Sequence, residues 1–238
     1  HLFSATIPNC LSYDPAYAYE LAVIFQHGIQ KMFVDLENYY YYITVTNENY
    51  EQPAKPEGSE GGIIKGMYQL IENKDHQVIL LGSGSILNES VKAVEILSSI
   101  GIAAEVWSAT SFNMLRKDGM EKERFNELNP TAKQKKTYVE ECLPSSDTPV
   151  IAATDYMRAY PEQIRGFIKA PYYTLGTDGY GRSDSRQKLR EFFEVDANNI
   201  ARMAIYSLFR KGDISKKEIT SFYKKLKVDP SKPNPWEV

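Results

Sequence analysis

The order strand, glycine turn, helix, strand over residues 77–109 constrains this chain more than any other feature. Gln77-Val78-Ile79-Leu80-Leu81 is a short apolar run, and Gly82-Ser83-Gly84-Ser85 turns the chain. Residues 87–99 then carry apolar side chains at helical spacing, Gly101 is placed to cap that helix, and 103–109 (AAEVWSA) reads as a second strand. Two neighbouring strands joined through a helix run parallel, with a right-handed crossover. The region therefore predicts an α/β fold, a mainly parallel sheet flanked by helices. Further strands are predicted at 149–153 and 172–176, and helices at 161–168, 187–193, 198–210 and 215–226. Ser215-Lys216-Lys217-Glu218 has the capping-box pattern that opens the last of these. Residues 111–148 are charged and helix-prone, with Lys133, Lys135 and Lys136 read as a solvated face.

Residues 51–62 (EQPAKPEGSEGG) break the pattern with two prolines and three glycines among charges, and read as a linker or boundary. Upstream, Ser12 or Asp14 is placed to cap a helix that has Pro15 in its first turn. Leu21, Ile24, Phe25, Ile29, Met32 and Phe33 recur along one face of that helix. Residues 39–46 are aromatic and β-branched on both parities, as in a strand covered on both sides.

The overall charge excludes some functions. With 28 basic and 31 acidic residues the net is −3, so there is no domain-wide basic footprint for nucleic acid. No apolar run approaches the roughly 18 residues that span a bilayer. No basic segment followed by an apolar stretch opens the chain, so no signal peptide is predicted and a cytoplasmic location is expected. Cys10 and Cys142 are far apart and belong to no Cys/His ligand set, so they read as reduced thiols rather than a disulfide or zinc site. His1, His27 and His76 sit in no nucleophile motif.

Three stretches are candidates for a site. Gly82-Ser83-Gly84-Ser85 follows a strand and precedes a helix, where backbone N–H groups can cradle a phosphate. It lacks the third glycine of a dinucleotide fingerprint and the lysine of a P-loop, and a tight turn explains it more simply. Residues 176–186 (GTDGYGRSDSR) combine three further glycines with Asp178, Arg182, Asp184 and Arg186. They read either as an anion site or interface loop, or as a self-satisfied loop opening the next helix. Asn47-Glu48-Asn49-Tyr50 ends a strand, the position where ligands sit in open α/β sheets. Glu48 is the functional candidate there, against a hydrogen-bonded network at a domain junction.

Taken together, TIPNCLSYDPAYAYELAVI, ITVTNENY with PAKPEG, VILLGSGSIL, ATDYM, LGTDGYGRSDSR and FEVDA resemble the C-terminal part of the homodimeric pyruvate dehydrogenase E1 family. This is a group of transketolase-like thiamine diphosphate enzymes. The resemblance implies that residues 1–62 are the end of a pyrimidine-binding α/β domain plus linker, and 63–238 a transketolase C-terminal-like domain. It implies thiamine diphosphate and Mg²⁺ in the complete enzyme, with none bound by this segment alone. The chemistry implied is decarboxylation of pyruvate and transfer of the two-carbon unit to the lipoyl group of an E2 acetyltransferase.

The implied partners are the remainder of the E1 chain, a second E1 subunit and E2, with no nucleic acid and no membrane. The family's metal and diphosphate motif has no match, because Asp178-Gly179 follows Thr177 and lacks the partner asparagine. The family's activating glutamate falls upstream of His1, and His1 and Glu51 are not assigned catalytic roles. No catalytic, cofactor or metal residue is therefore expected here, and the isolated chain is expected to be inactive. Asn47, Glu48, Asn49, Tyr50, Asp178, Arg182, Asp184 and Arg186 remain as interface or structural-loop candidates. The alternatives are a freestanding anion-binding or interaction module with this fold, or part of a sibling transketolase-type enzyme.

Overall fold

A computed structural model describes residues 1–143 and 147–238; positions 144–146 of the charged 111–148 stretch lie outside the described residues. The N-terminal unit consists of β1 (Cys10–Tyr13), α1 (Ala18–Ile29) and β2 (Tyr40–Ile43). The two strands pair in parallel, Cys10 opposite Tyr40 and Tyr13 opposite Ile43, with α1 in the crossover. After the 51–59 linker come α2 (Glu60–Lys65), β3 (Tyr68–Ile71), β4 (Val78–Gly82), α3 (Ile86–Ser98) and β5 (Ala104–Ser108). The chain continues through α4 (Phe112–Leu128), α5 (Tyr138–Cys142), β6 (Val150–Ala153), α6 (Ala159–Glu162) and β7 (Tyr172–Leu175). It closes with α7 (Arg186–Phe192), α8 (Ala197–Lys211) and α9 (Lys216–Lys225).

The second sheet has the order β3-β5-β4-β6-β7, parallel except for β3, which runs antiparallel on β5. Side chains alternate across it with the strand period of two. Val78, Leu80, Val106 and Ile151 pack under α3 and α8, with α9 at the margin. Ile79, Leu81, Val150 and Ala152 pack under α4, α5 and α6. A third cluster joins Leu11 and Tyr13 of β1 and Ile24 of α1 to Ile63 of α2 and Tyr68 of β3, so the two units share a core.

The predicted mainly parallel sheet flanked by helices is present, and Ser215 and Glu218 form the expected capping box. Three local expectations change. Neither Ser12 nor Asp14 caps α1: Ser12 is inside β1, and Asp14 is fully engaged elsewhere. Glu20 instead reaches back, its Oε2 accepting from Ala16 N–H at 2.5 Å and Tyr17 N–H at 3.0 Å. The strand at 39–46 shortens to four residues with Tyr40 and Tyr42 exposed, because β2 has a strand on one side only and one covered face. The helix at 161–168 divides into α6 and a 3₁₀ turn (Arg165–Phe167) containing Gly166. The 62/63 boundary falls inside α2, whose Ile63 packs against the N-terminal unit.

Of the predicted apolar face of α1, Ile24 is buried, but Phe25, Ile29 and Phe33 are 59%, 50% and 72% exposed. Val34, Leu36 and Val45 are exposed as well. Large apolar side chains left exposed in this number mark an interaction site.

Candidate functional site at the strand ends

Strand order reverses at β4: α3 carries the chain to β5 on one side, and β6 is added later on the other. Ligands of open α/β sheets sit at the carboxyl ends of the strands at such a point. Here the N-terminal unit occupies it. Ser83 Oγ donates to Asp14 Oδ2 at 2.7 Å, and Thr44 Oγ1 donates to Asp14 Oδ1 at 2.7 Å. The Gly84 N–H donates to the Asp14 backbone carbonyl at 3.1 Å. Gly84 has φ +52°, and a Cβ there would lie 2.5 Å from Asp14 Oδ2. Glycine at this position admits the carboxylate. The anion held at the glycine turn is thus the chain's own.

Burial pushes the Asp14 carboxyl up to about 6, against the bonds from Thr44 and Ser83; Asp155 and Glu20 act in the same direction as burial. A carboxyl whose folded value lies above its unfolded one stabilises the fold at low pH, and that contribution is lost as pH rises through the folded value. A rise from 3.8 to about 6 corresponds to about 3 kcal/mol. Urea unfolding of wild type and Asp14→Asn from pH 4 to pH 7 should show the difference between them moving by this order in the variant's favour. Parallel profiles would contradict the assignment.

Beside Asp14 lies His1, half-buried and stacked on Tyr160 with ring centroids 4.8 Å apart, the ring edges of Tyr156 and Tyr42 closing around it. Its Nδ1 is 2.6 Å from Ser12 Oγ and its Nε2 3.0 Å from Thr44 Oγ1. Asn113 Nδ2 donates to the His1 carbonyl at 2.8 Å and to Ser12 Oγ at 3.1 Å.

A cavity of about 670 Å³ adjoins this cluster. It brings together the two stretches singled out from the sequence, Asn47 and Glu48 on one wall and Arg182 and Arg186 on the other. At its base Arg190 grips Glu48 through two bonds, NH1 to Oε1 at 3.0 Å and NH2 to Oε2 at 2.5 Å. The same guanidinium reaches Glu89 Oε1 at 3.4 Å and Ser85 Oγ at 3.1 Å. Arg186 donates to Asn47 Oδ1 and lies 3.8 Å from Glu48.

The other candidates go elsewhere. Tyr50 donates its hydroxyl to the Ala16 carbonyl, and Asn49 is exposed between these anchors. Asp178 accepts from Arg158 N–H at 3.0 Å and Nε at 3.3 Å, and Asp184 from the Ser185 N–H. Arg182 lies over the Phe192 ring at 4.2 Å. Arg190, Glu89, Thr44 and Glu20 are not among the sequence candidates, whereas Ser85 belongs to the glycine turn, which is one. Arg190 had a signal: it follows Arg186 by four residues and shares its helix face.

Glu20 is the second inter-unit carboxylate. Its Oε1 accepts from Tyr68 Oη at 2.7 Å and Ser108 Oγ at 2.6 Å, in addition to the two N–H bonds at Oε2. Burial raises its pKa, opposed by these four donors. Asp14, Glu20 and Glu48 therefore seat the N-terminal unit on the sheet at three places.

The residues present do not fit the family's metal and diphosphate site. Among the described residues no three His, Cys, Asp or Glu side chains converge to hold a metal ion. Neither Mg²⁺ nor a diphosphate bound through it is assigned to this chain. No described helix is long and apolar enough to cross a membrane.

Residues 66–196, more than half the chain, match the family described as the transketolase-like TK C-terminal domain. The chain belongs to this family. Residues 1–53 match the pyruvate dehydrogenase E1 component middle domain. The chain is 53% identical over 240 residues to the pyruvate dehydrogenase E1 component of Pseudomonas aeruginosa, covering 99% of this chain and 27% of that protein. The E1 component of Escherichia coli K12 is 48% identical over 240 residues, with the same shares covered. The chain thus spans about a quarter of the length of these curated relatives. Among solved structures, transketolase from Leishmania mexicana superposes with a TM-score of 0.62 at 20% identity, covering 88% of this chain and 27% of that one. A split-gene transketolase, titled an inactive beta4 tetramer, gives 0.56 at 17% identity, covering 87% and 60%. At these identities the likeness is one of fold.

Proposed function

We propose that this chain is the C-terminal portion of a pyruvate dehydrogenase E1. Residues 1–62 end its pyrimidine-binding domain, and 63–238 form its C-terminal domain. The observation that carries the reading is the near-complete match of the chain to E1 components, with middle-domain and C-terminal-domain matches in that order. The whole enzyme decarboxylates pyruvate with thiamine diphosphate and Mg²⁺ and acetylates the lipoyl group of E2, in the cytoplasm. The cofactor supplies the electron sink, and the protein supplies orientation and charge.

The role of this segment is structural. Asp14, Glu20 and Glu48 lock the end of the middle domain onto the C-terminal sheet. The exposed Phe25, Ile29 and Phe33 surface is covered by the remainder of the E1 chain and its second subunit. The Asn47, Glu48 and Arg186 cluster supports that assembly from outside the chemistry.

The test is an assay of pyruvate-dependent lipoyl acetylation with thiamine diphosphate, Mg²⁺ and E2. Activity is expected from the full E1 that contains these residues and not from residues 1–238 alone. A native product of 27.1 kDa in the source cell, or turnover by the 238-residue chain alone, would overturn the reading.

A further inference from the structure

The hydrogen bonds around His1 point to which ring nitrogen carries its proton. Asn113 Oδ1 accepts from Gln163 Nε2 at 2.8 Å, which fixes the Asn113 amide so that its NH₂ group faces Ser12. Thr44 has one hydroxyl proton. Its acceptor at 2.7 Å is the Asp14 carboxylate, a charge-assisted bond, whereas the Tyr13 carbonyl lies at 3.4 Å. Toward His1 Nε2, at 3.0 Å, Thr44 Oγ1 then accepts, so Nε2 carries a proton. Asn113 Nδ2 faces the His1 carbonyl at 2.8 Å, Ser4 Oγ at 3.0 Å and Ser12 Oγ at 3.1 Å; with the His1 Nε2 proton directed at Thr44, Nδ1 accepts and the Ser12 hydroxyl donates to it at 2.6 Å. The chain of bonds runs Asp14, Thr44, His1, Ser12. It has the order of a catalytic triad with one hydroxyl inserted, but Ser12 is fully buried and presents no nucleophile to a substrate.

We infer that Asp14 is a positioning residue for His1, acting through Thr44: the ionised carboxylate holds the Thr44 hydroxyl as an acceptor and thereby fixes the His1 imidazole in its Nε2–H tautomer, with Nδ1 as the basic nitrogen. The imidazole is stacked on buried Tyr160, so the ring has one plane as well as one tautomer. Such outer partners ordinarily set which ring nitrogen is basic. The charged groups that bear on Asp14 are Asp155 and Glu20, and both leave the relay's direction unchanged at a pH where Asp14 is ionised.

Nitrogen-15 spectra of the histidine-labelled full-length protein at pH 8 test this, with the His1 ring identified by its loss in His1→Gln. The expected result is a protonated Nε2 and a pyridine-like Nδ1. Thr44→Val and Asp14→Ala, which removes the acceptor of the Thr44 hydroxyl, are each expected to abolish the single tautomer, and Thr44→Ser, which keeps the hydroxyl, to retain it. A wild-type spectrum with Nδ1–H would overturn the inference without any variant. So would a folded Thr44→Val protein with the tautomer unchanged.

Discussion

Glu20→Ala should lower stability by about 4 kcal/mol, because it strands two buried backbone N–H groups and the Ser108 hydroxyl, while the Tyr68 hydroxyl keeps only its bond with Tyr19 at 2.6 Å. Each unsatisfied buried donor costs about 1–3 kcal/mol. For a chain of this size the loss corresponds to roughly 10 °C or more in Tm. Glu20→Gln should behave differently. Its carbonyl oxygen can keep the Ala16 and Tyr17 N–H groups, which cannot turn. Its amide can donate to the Tyr68 and Ser108 hydroxyls, which can rotate to accept. A cost within about 1 kcal/mol is expected, since the substitution also removes a desolvated charge. Thermal and urea unfolding of both variants decide the matter, and equal losses for Ala and Gln would refute the four-donor account.

Arg190→Met is expected to cost about 3–5 kcal/mol, the ordinary penalty for removing one partner of a buried ion pair. The Arg190 side chain is 11% exposed, and Glu48 and Glu89 are 21% and 9% exposed. Both carboxylates would lose a shared cation, although Glu89 retains Lys92 at 2.8 Å. Arg190→Lys should recover only part of the loss, because an ammonium cannot reproduce the two-pronged bond to Glu48. Arg182→Met, at an exposed guanidinium that among the described residues lies over the Phe192 ring, is the control. Denaturant unfolding should separate the two clearly. Hydrogen exchange at 45–50 should rise in Arg190→Met only. Matching losses at the two arginines would dispose of the clamp.

The parts legible in the sequence are those with a local cause. β4, the glycine turn, α3 and β5 were readable because a buried parallel strand is a continuous apolar run and its crossover helix is amphipathic. The capping box at Ser215 is a four-residue pattern. β1 was not readable: Cys10–Tyr13 is four residues long, and what makes it a strand is Tyr40–Ile43 beside it. Asp14 carries the local signature of a cap, and a tertiary contact with Ser83 takes it away. Glu20 reads as a solvent-facing acid on an amphipathic helix until β3 and β5 supply Tyr68 and Ser108. Glu48 and Arg190 were within reach as residues but not as a pair, because the fold brings them together across most of the chain. The sequence-marked stretches at 47–50 and 176–186 do meet at one cavity, through Asn47, Glu48, Arg182 and Arg186; Asp178 and Asp184 are spent on nearby backbone.

The proline and glycine stretch at 51–59 has the composition of a hinge, and it is exposed except at Lys55, Pro56 and the buried Ser59. Its freedom is nonetheless removed at both ends. Rocking one unit against the other would strip Asp14, Glu20 and Glu48 of their partners together, at separate points along the seam. The joint is therefore a weld. Force applied to the N-terminal unit is expected to reach the sheet through Asp14, Glu20 and Glu48, so that travel within a larger machine would carry these residues together.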